Sequence, residues 1–302
     1  MRLGLSGGGS TIERTIQLAQ EAERDGFTTL WHTSGGGDPL AGLILAGRET
    51  SRIELGTAVL PTYSCHPVLM AQRAAGVVAA VGRGFTLGIG PSHHTSVEGT
   101  LGMSFAHAGR HTEEYVDILT TVLADRRVDL DGQELSAHAP GVPTAHPVEV
   151  MVAALAPRLL RVAGTSTSGT ILWLGNARAI REHVAPRLRA AADAAGRPAP
   201  RIVAGLPVAV HDDVAVARAA AAEQFGFYGR LPNYQRILAR GGLADPAEAA
   251  IVGDEASVTA QFEELLEAGA TDLWVPPFPV GEDRSGSRSR TRALLAELAT
   301  RP

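Results

Sequence analysis

The chain has 302 residues, 45% of them hydrophobic, with 27 Lys plus Arg against 32 Asp plus Glu, a formal net charge of −5 and one cysteine. A chain of this size buries a core without disulfides or structural metal, and a lone cysteine excludes a disulfide framework or a cysteine-based zinc or iron–sulfur site. The acidic balance without a long basic run argues against nucleic-acid partners; no apolar stretch reaches the roughly 18 residues of a membrane span, and Met1-Arg2-Leu3-Gly4-Leu5 opens no signal-peptide core, so a cytoplasmic protein is expected. Every basic residue is Arg, as GC-rich coding would produce. Without Lys, neither a Schiff base nor a P-loop is available.

In chain order, near-continuous apolar runs alternate with amphipathic stretches. A strand over Arg2–Ser6 leads through Gly7-Gly8-Gly9 to a helix over Thr11–Asp25. Ser10 or Thr11 caps that helix, and Gly26 lies past its end. Strand Thr28–His32 and helix Pro39–Glu49 follow. Next come Ile53–Leu60 with His66–Val81, whose first turn holds Pro67, and Phe85–Ile89 with His111–Ala124. Val148–Ala153 with Pro157–Gly164, Thr170–Leu174 with Ala177–Gly196, and Arg201–Val210 with Asp212–Phe225 continue the pattern. Ser257–Ala268 precedes a last strand at Asp272–Val275, and Ser289–Thr300 closes the chain.

Strands that read as unbroken apolar runs are buried on both faces, as in parallel sheets. Eight of them alternating with helices predict an α/β fold, a (β/α)8 TIM barrel in one domain over residues 1–302; a doubly wound open sheet is the rival. Two connections exceed a minimal barrel. Asp125–Pro147 reads as a hairpin or irregular loop, Phe225–Gly253 as an insertion region before the last helix. Gly281–Ser289 reads as a polar, mobile tail.

A barrel places its chemistry at the C-terminal strand ends. These ends are rich in Gly, Ser, Thr, His and Pro and poor in carboxylates apart from Asp38. Paired acids for glycoside hydrolysis and oxygen-ligand sets for magnesium or calcium are therefore not expected, whereas backbone approach to a cofactor is. The ten histidines form no H-E-x-x-H run, and no metal site is expected. Ser6-Gly7-Gly8-Gly9-Ser10-Thr11 lacks the G-x-G-x-x-G spacing of a dinucleotide loop.

Longer segments carry a resemblance. Ser51-Arg52-Ile53-Glu54-Leu55-Gly56-Thr57-Ala58-Val59-Leu60-Pro61-Thr62-Tyr63 with His66-Pro67, Phe85-Thr86-Leu87-Gly88-Ile89-Gly90-Pro91-Ser92-His93, and Val152-Ala153-Ala154-Leu155-Ala156-Pro157-Arg158 with Ala163-Gly164 match in order. So do Gly169-Thr170-Ile171-Leu172-Trp173, Val252-Gly253-Asp254 and Ala268-Gly269-Ala270-Thr271-Asp272. This pattern resembles luciferase-like oxidoreductases, most of all the actinobacterial branch that uses the deazaflavin coenzyme F420.

The resemblance implies a TIM barrel with an insertion, a homodimer, and hydride transfer with bound F420. It places a non-proline cis peptide behind the cofactor ring at Ala58 and Val59, with Leu60 alongside; plain barrel core is the other reading. Ser92 and His93 match the loop beside the ring. There His93 stands where some relatives carry a Glu proton donor, and a His suits proton movement near neutral pH; an exposed or substrate-shaping His is the alternative. Ala154 and Leu155 match backbone that holds the cofactor phosphate at a helix start, Gly164 and Thr165 a second contact, and Arg158 a phosphate or tail contact or a solvated residue.

Thr165-Ser166-Thr167-Ser168 and His32-Thr33-Ser34-Gly35-Gly36-Gly37 depart from the family pattern. They suggest an enlarged pocket for a bulky or peptide-like substrate, with His32, Ser34, Tyr63 and Tyr228 as substrate contacts. Tyr228 belongs to an aromatic and basic stretch with Phe227, Arg230, Tyr234 and Arg236, suited to a lid or to plain packing. The expected activity is F420H2-dependent reduction of a C=C or C=N bond, possibly in natural-product tailoring, with alcohol oxidation as the reverse. An FMN-dependent monooxygenase and a non-catalytic flavin-binding barrel are the alternatives.

Overall fold

A computed structural model describes residues 1–8, 11–33 and 37–301. Its barrel strands are β1 (Leu3–Gly7), β2 (Thr29–His32), β3 (Glu54–Thr57), β4 (Phe85–Gly90), β5 (Val148–Val152), β6 (Gly169–Trp173), β7 (Arg201–Gly205) and β8 (Asp272–Val275). All pair parallel in sequence order, and β8 returns to β1 through Leu3↔Leu273, so the sheet closes. The structure is a TIM barrel with its helices outside.

Trp31 on β2 fills the interior. A Cβ added at Gly4 would lie 2.4 Å from its indole nitrogen, and one at Gly56 would lie 2.5 Å from its ring. Ala58, Met151, Ile171, Val203 and Trp274 complete this inner cluster. Gly88 is equally constrained, because its Cβ would sit 2.0 Å from the Thr57 carbonyl oxygen, while Thr57 Oγ1 donates to Gly88 O at 2.8 Å. Gly88→Ala is expected to destabilise the protein by about 1–3 kcal/mol or more through overpacking, read as a fall in the urea midpoint.

The predicted boundaries shift where the backbone has other partners. The third strand breaks after Thr57 at a cis Ala58–Val59 peptide, and Leu60–Pro61 then pairs with Ile89 and Gly90. The run predicted as Arg201–Val210 is two strands: past Gly205, Val208–Val210 leaves the barrel to pair with Ile251–Gly253 of the insertion. Thr11 caps the first helix, Ile12–Arg24; the other cap candidate, Ser10, lies outside the described residues. Asp125–Pro147 does hold a hairpin, Val128–Asp131 with Ser136–Ala139. Glu114 fixes its turn by accepting the N–H groups of Gln133, Glu134 and Leu135.

The tail reading of Gly281–Ser289 is corrected. Asp283 accepts the Gly286 N–H as an N-cap, so a helix runs from Arg284 to Thr300. The insertion contains a 3-10 turn, Gly226–Arg230, and a helix, Pro232–Arg240, both over the C-terminal strand ends. At the opposite end, Asp272 is bound by Arg201 at 2.7 Å and Arg2 at 2.8 Å, while Arg201 reaches Glu149 and Arg2 reaches Glu54. Burial alone would raise the Asp272 pKa, but Arg201, Thr271 and Arg2 hold it below the ordinary range. No helix among the described residues is long and apolar enough to cross a membrane.

Candidate active site

A cavity of about 840 Å³ opens at the C-terminal ends of the strands. One part of its wall is made of small residues: Ala58, Val59, Gly90 and Ala153. The space at Gly90 is tight, since a Cβ there would meet Ala153 at 2.9 Å and Val59 at 3.0 Å. Aromatic groups supply another part. Trp173 and Trp274 have ring centroids 5.0 Å apart, Trp173 and Tyr228 5.9 Å, and Tyr228 and Tyr234 4.8 Å.

His93 lies in the same lining, its ring 5.8 Å from Tyr234 and 6.4 Å from Tyr228. Burial lowers its pKa, so the imidazole is neutral at pH 7. Ser92 precedes it in the left-handed region at φ 65° and also lines the cavity. Leu155, Ala156 and Pro157 border it where helix Pro157–Ser166 begins. Among the described residues, no group of three or more His, Cys, Asp or Glu side chains is arranged to hold a metal ion.

Of the residues singled out in the sequence, Ala58, Val59, Ser92, His93, Leu155, Tyr228, Tyr234 and Arg236 line this cavity. The others are placed elsewhere, each for a local reason. Side chains alternate along a strand, so Trp31 points into the barrel and His32 into the helix layer, beside Gly8 and Gly42, with Nδ1 2.7 Å from Thr33 O. Leu60 packs into the main core while its neighbours Val59 and Pro61 border the cavity.

Tyr63, in the 3-10 turn Thr62–Ser64, is buried away from the cavity and stacks on His111 at 3.8 Å; burial pushes its hydroxyl pKa up to about 12. Ala154 is fully buried, and its N–H donates to Thr170 Oγ1 at 3.2 Å. Arg158 donates twice to Glu113, at 2.9 and 2.6 Å. Gly164 lets two helices approach, since its Cβ would lie 2.6 Å from Leu188 O. Thr165 turns its hydroxyl to Val162 O and Ser166. Ser34 lies outside the described residues.

Sequence reasoning missed Trp173, Trp274, Asn233 and Arg240, which also line the cavity. Trp173 ends β6, and Pro276 marks the end of the strand that carries Trp274, so strand-end position was the available signal. Asn233 and Arg240 had one too: with Arg236 they recur at helical spacing within the insertion.

The sequence profile of the luciferase-like monooxygenase family matches residues 2–272. The chain belongs to that family. It is 25% identical over 289 residues to the 5,10-methylenetetrahydromethanopterin reductase of Methanolobus tindarius, an alignment covering 94% of this chain and 87% of the relative. Two solved structures share the luciferase-like fold. One is an F420-dependent secondary alcohol dehydrogenase in complex with an F420-acetone adduct, at TM-score 0.81 and 15% identity, covering 100% of this chain and 99% of the other. The second is the FMN-bound oxygenating constituent of 3,6-diketocamphane monooxygenase from Pseudomonas putida, at TM-score 0.73 and 17% identity, covering 99% and 97%. Luciferase-like relatives thus include oxidoreductases named for F420 and for FMN chemistry.

Proposed function

We propose that this luciferase-like protein is a coenzyme F420-dependent oxidoreductase that reduces a C=C or C=N bond of a small-molecule or peptide-like substrate, or runs the reverse oxidation. One observation carries the reading: a single cavity combines a small-residue wall at Ala58, Val59, Gly90 and Ala153 with an imidazole, His93, among aromatic neighbours. The F420-dependent structural neighbour supports the choice of cofactor.

The residues present fit a tricyclic cofactor. The volume lies within the range of small-molecule and cofactor sites, roughly 300–1,000 Å³, and the tight backbone at Gly90 leaves a face without protruding side chains. When bound, a deazaflavin supplies two-electron hydride chemistry. Ala58 and Val59 would back its ring, and Leu155 and Ala156 would lie near its phosphate at the start of a helix that has no side-chain cap. Trp173, Tyr228, Tyr234 and Trp274 keep water from the reacting bond. His93 gains or releases the proton that accompanies the hydride. A cytoplasmic homodimer is the accompanying proposal, tested by light scattering of the purified protein.

Titration with oxidised deazaflavin, and separately with FMN, tests the cofactor. Trp173 and Trp274 border the cavity, so their fluorescence should be quenched. Micromolar or tighter deazaflavin binding with weaker FMN binding is expected. Preference for FMN, together with substrate-dependent oxygen uptake, would shift the reading to the monooxygenase chemistry of the FMN-bound neighbour. Binding of neither would sink it. Single-turnover oxidation of the reduced deazaflavin by enones, imines and dehydroamino acids then tests the acceptor class.

A further inference from the structure

We propose that helix Pro232–Arg240 carries an anion-binding subsite at the cavity mouth, formed by Arg236 and Arg240 and positioned by His183, for a phosphate or carboxylate group of a bound ligand. The proposal rests on the reading above, with the anion belonging either to the cofactor side chain or to an acidic substrate. Asn233, Arg236 and Arg240 recur at three- and four-residue spacing, so they share one helix face, and all three line the cavity. Tyr234, Ile237 and Leu238 are the buried residues of this helix, and Tyr234 also lines the cavity.

Among the described residues, the lining contains no Asp or Glu. Arg236 has no hydrogen bond or ion pair with a described residue, whereas Arg158 and Arg161 share Glu113, and Arg290 holds Glu255 and Asp212. Two guanidinium groups at the rim of a cavity without carboxylates favour an anion, and their planar forks match phosphate and carboxylate oxygens.

His183 fixes the second of them. It is 3% exposed and sits in a π-helical turn, Ile180–Val184, a local geometry frequent at functional sites. Its Nε2 lies 2.9 Å from the Leu155 carbonyl oxygen, which can only accept, so Nε2 bears the proton. Nδ1 is then bare and accepts from Arg240 Nη1. Burial and the charges of Arg240 and Arg187 keep the ring neutral. One imidazole therefore ties the insertion helix to the turn at Leu155, where the uncapped helix Pro157–Ser166 adds partial positive charge of the same sign.

The test uses calorimetric and fluorescence titrations of the full chain with three probes: sulfate at constant ionic strength, FMN against riboflavin, and the deazaflavin with and without its phosphodiester side chain. Arg236→Gln and Arg240→Gln are each expected to weaken the phosphorylated chromophore about ten-fold or more while leaving its neutral counterpart unchanged, which assigns the subsite to the cofactor. If both chromophores are unaffected but sulfate affinity falls, the subsite stands and serves an acidic substrate. Equal losses for charged and neutral chromophores, or sulfate binding to the double variant as to wild type, would overturn it. His183→Ala should reproduce the Arg240→Gln selectivity. His183→Gln, whose amide donates to Leu155 and accepts from Arg240, should restore anion affinity; failure of both would remove His183 from the proposal. If wild type binds no chromophore, the F420 reading fails while the sulfate titration still decides the subsite.

Discussion

Replacing His93 by Asn is expected to lower kcat by about 10²–10⁴-fold, the usual loss when a positioned acid–base group is removed. Cofactor affinity should change little. The His93 ring makes no hydrogen bond to a described residue, and its neighbours Tyr228 and Tyr234 keep their mutual contact without it. Thermal stability should likewise stay near wild type, separating lost chemistry from lost fold. The pH profile adds a sign. Burial lowers the His93 pKa, so the base form predominates at neutral pH. In the oxidative direction kcat/KM should be flat around neutrality and fall as acid protonates the ring. In the reductive direction the acid form is needed, and the rate should climb as pH drops through the same value. Both limbs should vanish in His93→Asn. A variant that keeps wild-type kcat and its pH profile would remove His93 from the chemistry.

Asp272→Ala is expected to be the most damaging substitution away from the cavity. The carboxylate is 4% exposed and receives both Arg201 and Arg2. Removing one partner of a buried ion pair costs about 3–5 kcal/mol because the other charge is left uncompensated. Arg201 retains Glu149 and Arg2 retains Glu54, which places the loss near the lower end, about 3 kcal/mol. Urea unfolding would measure it, and a loss under 1 kcal/mol would refute it. The folded-state pKa is depressed, so this stabilisation is complete above the unfolded carboxylate pKa, about 3.9. It disappears as pH falls through the lower folded value. The stability difference between wild type and variant should therefore shrink below about pH 4.

Barrel strands were legible because each is an apolar run with few competing readings. Asp272–Val275 lies in the structure where it was predicted, with all four of its residues buried. Arg201–Val210 was over-extended because Val208–Val210 is as apolar as the strand before it. What sends it out of the barrel is a partner more than forty residues away, Ile251–Gly253. The same distinction explains the site. Ala58, Val59, Ser92 and His93 were placed through the resemblance of their strand-end segments, and all four line the cavity. Arg158 and Gly164 lie outside the cavity lining, and their partners, Glu113 and Leu188, are visible only once helices pack. His32 was ambiguous by one residue of strand alternation, which the packing of Trp31 resolves.

Trp31 has one more consequence. It stops the barrel like a cork, in the same inner cluster as Ala58, Ile171 and Trp274, which form the lower lining of the cavity. Traffic through the barrel axis is blocked, so in the proposed reaction a ring against Ala58 and Val59 and its partner molecule would share the doorway lined by Asn233, Arg236 and Arg240. The molecule that enters second must depart first. Steady-state kinetics should then show ordered exchange, with the deeper ligand retained across turnovers and its release hastened when the doorway helix is loosened.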